Sequence, residues 1–189
     1  MSAIRERIVE LYGTKILRKS ALNIRCGAGV FERVMAGQVH TALEIGTYRG
    51  VAAAEMAQYC AHVVTIDLEY GKIEQNGETF DRKEFWKSLG VQNITFIPVR
   101  GDAHKKTVVD ALAFDFAFID GGHGAKSVRT DFDLVKRCGR VLFHDADDNR
   151  LRDHKPHASN DVYEFVATLP REQVQFIDIF ALWTAPGRA

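Results

Sequence analysis

The stretch Glu44-Ile45-Gly46-Thr47-Tyr48-Arg49-Gly50 decides the fold of this chain of 189 residues. It includes the end of the apolar run Thr41–Ile45 and leads into an alanine-rich helical segment that begins at Val51. Gly46 permits a sharp backbone turn and a close approach to a ligand, and Gly50 permits close packing of the following helix. The stretch therefore predicts a strand, a glycine turn and a helix that together open a ligand site.

The rest of the chain repeats this alternation of short apolar runs and helical segments. The other predicted strands are His62–Ile66, Ile94–Val99, Phe114–Ile119 and Arg140–Phe143, and the helices between strands are Val51–Tyr59, Thr79–Leu89, His104–Leu112 and Ser127–Arg137. Buried strands that alternate with helices are typical of a parallel sheet covered on both faces. Right-handed crossovers then predict an α/β fold with a doubly wound, mostly parallel sheet.

The domain organisation is simple. Apolar residues at three- and four-residue steps predict helices in residues 1–39, and these would cap an α/β core at 40–189. The chain contains no internal repeat, low-complexity segment or linker, so we expect one domain over residues 1–189.

The C-terminal part is less regular. The polar segment 144–157 is interpreted as a loop that covers the substrate, with metal binding by its His and Asp residues as the alternative. A helix that begins at Ser159 or Asn160 is predicted to end at Leu169. The run Val174–Thr184 is strand-like and contains no evident turn residue, so it is compatible with one strand or two.

Composition excludes several classes of partner. The 25 basic residues equal the 25 acidic ones, so no net charge attracts nucleic acid or an anionic membrane. No apolar run approaches the roughly 20 residues that span a bilayer, and the charged N-terminus lacks the apolar core of a signal peptide. Cys26, Cys60 and Cys138 are odd in number and widely spaced, which favours reduced thiols. We expect a cytoplasmic protein with neither nucleic acid nor membrane as a partner.

Acidic residues at two further strand ends indicate what the glycine turn binds. The spacing of Gly46 and Gly50 lacks the additional glycine that brings backbone against a dinucleotide pyrophosphate, so a ligand without phosphates is favoured. Asp67 ends the second predicted strand, where a carboxylate can accept both ribose hydroxyls. Asp102 and Ala103 follow the third strand, where a side chain and a backbone amide could contact an adenine edge. The sequence therefore predicts a nucleoside site.

From about Thr41 to Asp145 the chain resembles the class I S-adenosylmethionine (SAM) dependent methyltransferases. The segments 44–50, 118–123 (Phe-Ile-Asp-Gly-Gly-His) and 143–145 (Phe-His-Asp) resemble those of small O-methyltransferases related to the catechol, caffeoyl-CoA and macrolide-sugar enzymes. The resemblance implies a seven-stranded Rossmann-like sheet whose last strand is antiparallel, SAM as methyl donor and, in many relatives, a divalent cation. The residues expected to bind SAM are Glu44, Gly46, Thr47, Tyr48, Gly50, Asp67, Leu68, Asp102, Ala103 and Asp120.

Polar residues at the ends of the fourth and fifth predicted strands form the candidate catalytic group. Methyl transfer requires an acceptor held in line with the methyl group and removal of the proton from its hydroxyl. We predict that Asp120, His123 and His144 are catalytic, with His123 as the base. We also predict that Asp120, His144 and Asp145 bind Mg²⁺ or another divalent cation. Ala146 is a departure, because catechol-type relatives have Asn or a second acid there.

The sequence predicts a methyltransferase that acts on a hydroxyl of a small molecule. It does not decide whether the protein is a monomer or a homodimer. One alternative is a non-catalytic SAM-binding protein or a subunit of a larger assembly, because residues 144–146 depart from the pattern of the relatives. A dehydrogenase that uses NAD is disfavoured by the missing glycine. A methyltransferase for nucleic acid is disfavoured by the zero net charge.

Overall fold

The computed structural model describes residues 2–14, 16–17, 29–68, 73–75, 78–147 and 161–187. The helices in these ranges are α1 (Ala3–Tyr12), α2 (Val30–Met35), α3 (Val51–Met56), α4 (Arg82–Ser88), α5 (Asp102–Asp110), α6 (Ala125–Val135) and α7 (Asp161–Val166). The strands are β1 (Thr41–Ile45), β2 (His62–Leu68), β3 (Ile73–Gln75), β4 (Glu78–Phe80), β5 (Ile94–Val99), β6 (Phe116–Ile119), β7 (Arg140–Phe143), β8 (Val174–Ile177) and β9 (Phe180–Thr184).

Seven of these strands form one sheet in the order β5-β2-β1-β6-β7-β9-β8. Strand β1 pairs in parallel with β2 on one side and with β6 on the other. The strand order therefore reverses beside β1, which is where open α/β sheets bind their ligands. The last strand, β9, is antiparallel to both β7 and β8. The predicted doubly wound, mostly parallel sheet with an antiparallel last strand is confirmed.

The two faces of the sheet are buried under different helices. Helices α1 to α4 cover one face, and α5, α6 and α7 cover the other. Strand β6 shows the alternation directly, since the Phe118 ring lies 5.2 Å from that of Phe31 in α2 while Ile119 belongs to the opposite layer. On that second face Phe132 packs edge-on against Trp183, with ring centroids 5.0 Å apart. This two-sided burial explains why the strands are nearly continuous apolar runs.

Apart from shifts of a few residues at the ends of elements, one element differs from the sequence prediction and one open alternative is decided. The predicted helix Thr79–Leu89 begins later, at Arg82, because β4 pairs with β3 in a hairpin and the Asp81 carboxylate accepts hydrogen bonds from two backbone N–H groups of the first turn. The run Val174–Thr184 forms two strands, and its turn contains Asp178 at φ 54°. Aspartate tolerates this left-handed conformation, so Asp178 is the turn residue that sequence reading overlooked.

Some predictions fall partly outside the described residues. Ser159 and Asn160, the predicted helix starts, are outside them, as are residues 148–157 of the predicted loop. The helix of this region ends at Val166 rather than at Leu169. Helices α1 and α2 account for the described part of the predicted N-terminal cap. Among the described residues, no helix is both long enough and apolar enough to cross a membrane.

Candidate active site

Two adjoining cavities open at the carboxyl ends of β1, β2 and β6. The larger has a volume of about 540 Å³ and the smaller about 340 Å³. Tyr48, Asp120 and Gly121 line both, so the cavities meet between the glycine turn and the end of β6. Their position is the point of strand reversal at which the sequence placed a ligand.

The glycine turn closely approaches the neighbouring strand end. Gly46 has φ 99°, and a β-carbon on it would lie 2.2 Å from the carbonyl oxygen of Asp120. Only glycine fits this approach. Gly50, the second glycine of the turn, contacts Trp86 instead. The Trp86 indole N–H donates a hydrogen bond to the Gly50 carbonyl oxygen at 2.8 Å. Gly50 lies outside the lining of both cavities. Its hydrogen bond to the buried Trp86 holds the turn against α4, so the role of Trp86 is structural.

Asp67, at the end of β2, is held rigidly in the larger cavity. Its two carboxylate oxygens accept the backbone N–H groups of Tyr48 and Leu68, both at 2.8 Å. The Arg82 guanidinium lies 3.5 Å from the same carboxylate and donates a hydrogen bond to the carbonyl oxygen of Tyr48. An ionised carboxylate has about four lone-pair sites, so acceptor capacity remains for a ligand hydroxyl.

The far end of the larger cavity combines apolar and acidic residues. Leu68 and Val99 contribute apolar surface there. The Lys105 ammonium lies 3.2 Å from Asp102 and 2.5 Å from the buried Asp131, so it ties α5 to α6 beside the cavity. Ala103 is exposed and lies outside the lining.

Glu44 is a fully buried carboxyl group in the wall of the smaller cavity. Its Oε2 accepts a hydrogen bond from the Thr65 hydroxyl, which in turn lies 2.6 Å from the hydroxyl of Thr47. Its Oε1 has no hydrogen-bond partner among the described residues. Burial raises the pKa of Glu44 well above its ordinary value, although the Thr65 hydrogen bond opposes the shift. In the free protein burial therefore favours the uncharged form of this carboxyl.

We expect Glu44→Gln to remove a pH dependence from the stability of the ligand-free protein. Above its ordinary pKa of 4.5, Glu44 is ionised in the unfolded chain but protonated in the fold. The wild type therefore loses about 1.4 kcal/mol of unfolding free energy per pH unit until the folded pKa is reached. Urea unfolding of both proteins between about pH 5 and about pH 8 measures the difference. A constant difference across this range would contradict the upward shift of the Glu44 pKa.

Asp120 lies at the centre of a cluster that includes two imidazoles. The Nδ1 atom of His144 is 2.8 Å from Asp120 Oδ1, and the Nε2 atom of His123 is 3.8 Å from the same oxygen. Asp145, with φ 53°, places its carboxylate 3.4 Å from His123 and 3.5 Å from His144. His144 is largely buried, whereas His123 is 53% exposed and faces the opening. The fold thus brings together all four residues predicted at these two strand ends.

The negative charge of Asp120 and the positive charges of the protonated imidazoles stabilise one another, which shifts the pKa of each group. Burial opposes ionisation of Asp120, but the contacts and charges of both imidazoles together outweigh it and lower its pKa. The contact with Asp120 raises the pKa of His123. Burial, the largest single cause, would lower the pKa of His144, but Asp120 and Asp145 together outweigh it and the net direction is upward. The cluster consists of an ionised carboxylate and two imidazoles that are more basic than usual.

The same cluster contains a compact set of donor atoms. One ligand atom from each of Asp120, His123 and His144 can be chosen so that all lie within 4.8 Å of one another. This trio includes His123, whereas the sequence prediction combined Asp120 and His144 with Asp145. Asp145 lies beside both imidazoles, at a distance where it can orient them.

Two arginines of the site were missed by sequence reasoning. Arg49 lies inside the decisive stretch itself, lines the smaller cavity and is 3% exposed. A charged residue between the two glycines of the turn is a signal that could have drawn attention to it. Arg82, which holds Asp67, begins a helix after an intervening hairpin, and no local pattern indicates that contact.

The comparisons with known proteins agree with this geometry. A family model described as a methyltransferase domain matches residues 43–146. An O-methyltransferase from Bacillus cereus in complex with SAH, the demethylated product of SAM, is similar in structure, with 14% identity, a TM-score of 0.65 and coverage of 98% of this chain and 91% of that chain. The O-methyltransferase TomG from Streptomyces achromogenes, in complex with SAM, has 18% identity, a TM-score of 0.62 and coverage of 99% and 91%.

A third structure, the MycE methyltransferase of the mycinamycin biosynthetic pathway in complex with Mg and SAH, has 12% identity and a TM-score of 0.56. It covers 91% of this chain and 54% of that chain. No curated protein matches the sequence. At these identities the structural likeness shows the fold, while the family match extends over more than half of the chain. The chain belongs to the methyltransferase-domain family and is an enzyme of the SAM-dependent class.

Proposed function

We propose that this enzyme transfers the methyl group of SAM to a hydroxyl of a small molecule with the help of a bound divalent cation. The observation that carries this proposal is the position of Asp120. It lines both cavities and has two basic imidazoles beside it. A methyl group delivered from one cavity would meet an acceptor beside the base that must take its proton.

The larger cavity is the proposed nucleoside subsite. Two backbone N–H groups fix the Asp67 carboxylate, and its remaining lone pairs can accept hydrogen bonds from ribose hydroxyls. Asp102 and the apolar surfaces of Leu68 and Val99 lie where an adenine ring would be held. The SAM and SAH in the similar structures support this assignment. Further residues proposed to contact the donor are Glu44, Gly46, Thr47, Tyr48 and Asp120, whereas Gly50 and Ala103 act through the backbone conformation of their segments.

The donor set at the cavity junction fits a divalent cation. Asp120 is ionised, and His123 and His144 can each supply one nitrogen within the same small sphere. Two imidazoles with one carboxylate suit Mn²⁺ or Zn²⁺ better than Mg²⁺, which prefers oxygen ligands. A bound cation would lower the pKa of the acceptor hydroxyl. Asp145 would orient both imidazoles. Without a cation, the exposed imidazole of His123 is the group best placed to remove a proton at the opening, whereas a cation bound through its free nitrogen would take over the activation of the hydroxyl.

The test is a methyl-transfer assay with radiolabelled SAM, a panel of phenols, catechols and sugar hydroxyls, and Mn²⁺, Zn²⁺, Mg²⁺ or EDTA in parallel. We expect transfer to hydroxylated acceptors that is strongest with Mn²⁺ or Zn²⁺ and is lost with EDTA. Transfer to amines alone would contradict the hydroxyl acceptor. SAH binding without turnover on any acceptor would instead favour a non-catalytic SAM-binding protein, the alternative raised by Ala146.

A further inference from the structure

Arg82 contacts three elements that surround the larger cavity. Its guanidinium donates a hydrogen bond to the carbonyl oxygen of Tyr48 in the glycine turn and lies 3.5 Å from the Asp67 carboxylate at the end of β2. The guanidinium carbon also lies 4.7 Å from the ring centroid of Phe96 in β5. The Arg82 side chain is only 15% exposed, so these contacts are made largely away from water. One side chain therefore connects the turn, β2 and β5.

The local sequence fixes where the helix of Arg82 begins. Asp81 caps α4, because its carboxylate accepts hydrogen bonds from two backbone N–H groups of the first turn at 2.8 and 3.2 Å. Phe80 packs against Phe85 with ring centroids 5.3 Å apart, which is the contact of a hydrophobic staple at a helix start. Arg82 is the first residue of this capped and stapled turn, so its backbone is held in a defined position.

The turn residue that Arg82 binds has an unfavourable backbone conformation. Tyr48 has φ 42°, a left-handed value that residues with a side chain rarely adopt. Its N–H group donates to Asp67 at 2.8 Å, and its carbonyl oxygen accepts from Arg82. Such conformations persist where surrounding contacts hold them, and here contacts on both sides of one residue do so. Removal of the guanidinium would release the Tyr48 carbonyl and the Asp67 carboxylate together.

We infer that Arg82 is a positioning residue for the methyl donor, because it holds Asp67 and the glycine turn in the arrangement that receives the ribose hydroxyls. This inference rests on the proposed function, since it takes the larger cavity to be the nucleoside subsite. Arg82 lies outside the lining of that cavity and acts through Asp67 and Tyr48, which line it. The acceptor oxygens of Asp67 are then in place before the ligand arrives, so less ordering accompanies binding.

The experiment compares SAH with an analogue that lacks both ribose hydroxyls, by isothermal titration calorimetry. We expect the wild type to bind SAH about 10- to 100-fold more tightly, because the analogue loses hydrogen bonds to a charged carboxylate. In Arg82→Gln this ratio should fall by about 10-fold, mostly through weaker binding of SAH. Arg82→Lys should give an intermediate ratio, because lysine keeps the charge but lacks the planar fork that reaches carbonyl and carboxylate together.

Arg137→Gln is the matched control. Arg137 makes contacts of the same kinds, since it donates hydrogen bonds to the carbonyl oxygens of Val109 and Leu112 and lies 4.7 Å from the ring centroid of Phe114. It lies outside the lining of both cavities. This control should keep the wild-type ratio. An equal fall in both variants would mean that any lost arginine loosens the site, and it would reject a positioning role for Arg82.

An unchanged ratio in Arg82→Gln would overturn the inference and leave the proposed function standing. If that variant did not fold, a wild-type ratio in Arg82→Lys would reject the role of the guanidinium in the same way. Equal affinities of SAH and the analogue for the wild type would reject the nucleoside subsite and the inference with it, and this measurement needs no variant to fold. A wild type that binds neither ligand would reject the proposed function itself.

Discussion

Asp120→Asn should reduce the turnover number by at least about 100-fold, because proton transfer by a positioned group contributes about this much or more. The asparagine keeps the size of the side chain but removes the negative charge beside which both imidazoles lie. It also removes the anionic member of the proposed cation site. The affinity for SAH should stay within a few-fold, since the proposed nucleoside contacts at Asp67 are unaffected.

The measurement combines steady-state turnover on the best acceptor with a calorimetric titration of SAH. Asp110→Asn is the matched control, since Asp110 lies on the outer surface of α5, where it pairs with Lys106. This control should retain wild-type turnover. If Asp120→Asn turned over at the wild-type rate, the catalytic role of the cluster would be disproved.

The sheet could be predicted because its strands are buried on both faces. The predicted runs Thr41–Ile45 and Arg140–Phe143 coincide with the buried strands β1 and β7. An apolar run of this kind is determined by the residues within it, so a single sequence reveals it. The hairpin of β3 and β4 depends instead on pairing between two three-residue segments, which neither segment reveals by itself. Its second strand occupies the residues at which a helix was predicted to start.

The candidate site was predictable to the extent that topology places strand ends together. Asp67, Asp120 and His144 each end a strand, and the strand order brings these ends to one edge. The contact between Arg82 and Asp67 depends on how α4 packs, which no local pattern encodes. Arg49 was visible in the sequence, but its burial, with Nε and Nη1 lacking a hydrogen-bond partner among the described residues, is a property of the folded chain.

Gly46→Ala should lower the free energy of unfolding by about 3 kcal/mol or more, because two costs act at one position. The left-handed φ of 99° disfavours any side chain, and the added β-carbon would lie 2.2 Å from the carbonyl oxygen of Asp120. For a chain of this size the melting temperature should fall by about 6 to 12 °C. Thermal and urea unfolding followed by circular dichroism measure both quantities.

Gly90→Ala separates the two costs. Gly90 has a similar φ of 74°, but a β-carbon there would meet nothing within 4 Å, so conformational strain of about 1 to 2 kcal/mol is all that it should cost. Equal destabilisation by both variants would show that the close approach to Asp120 contributes nothing. The clash at Gly46 can be relieved only by separating the carboxyl ends of β1 and β6, which widens the junction of the two cavities. The folded Gly46→Ala protein should therefore bind SAH more weakly than Gly90→Ala does.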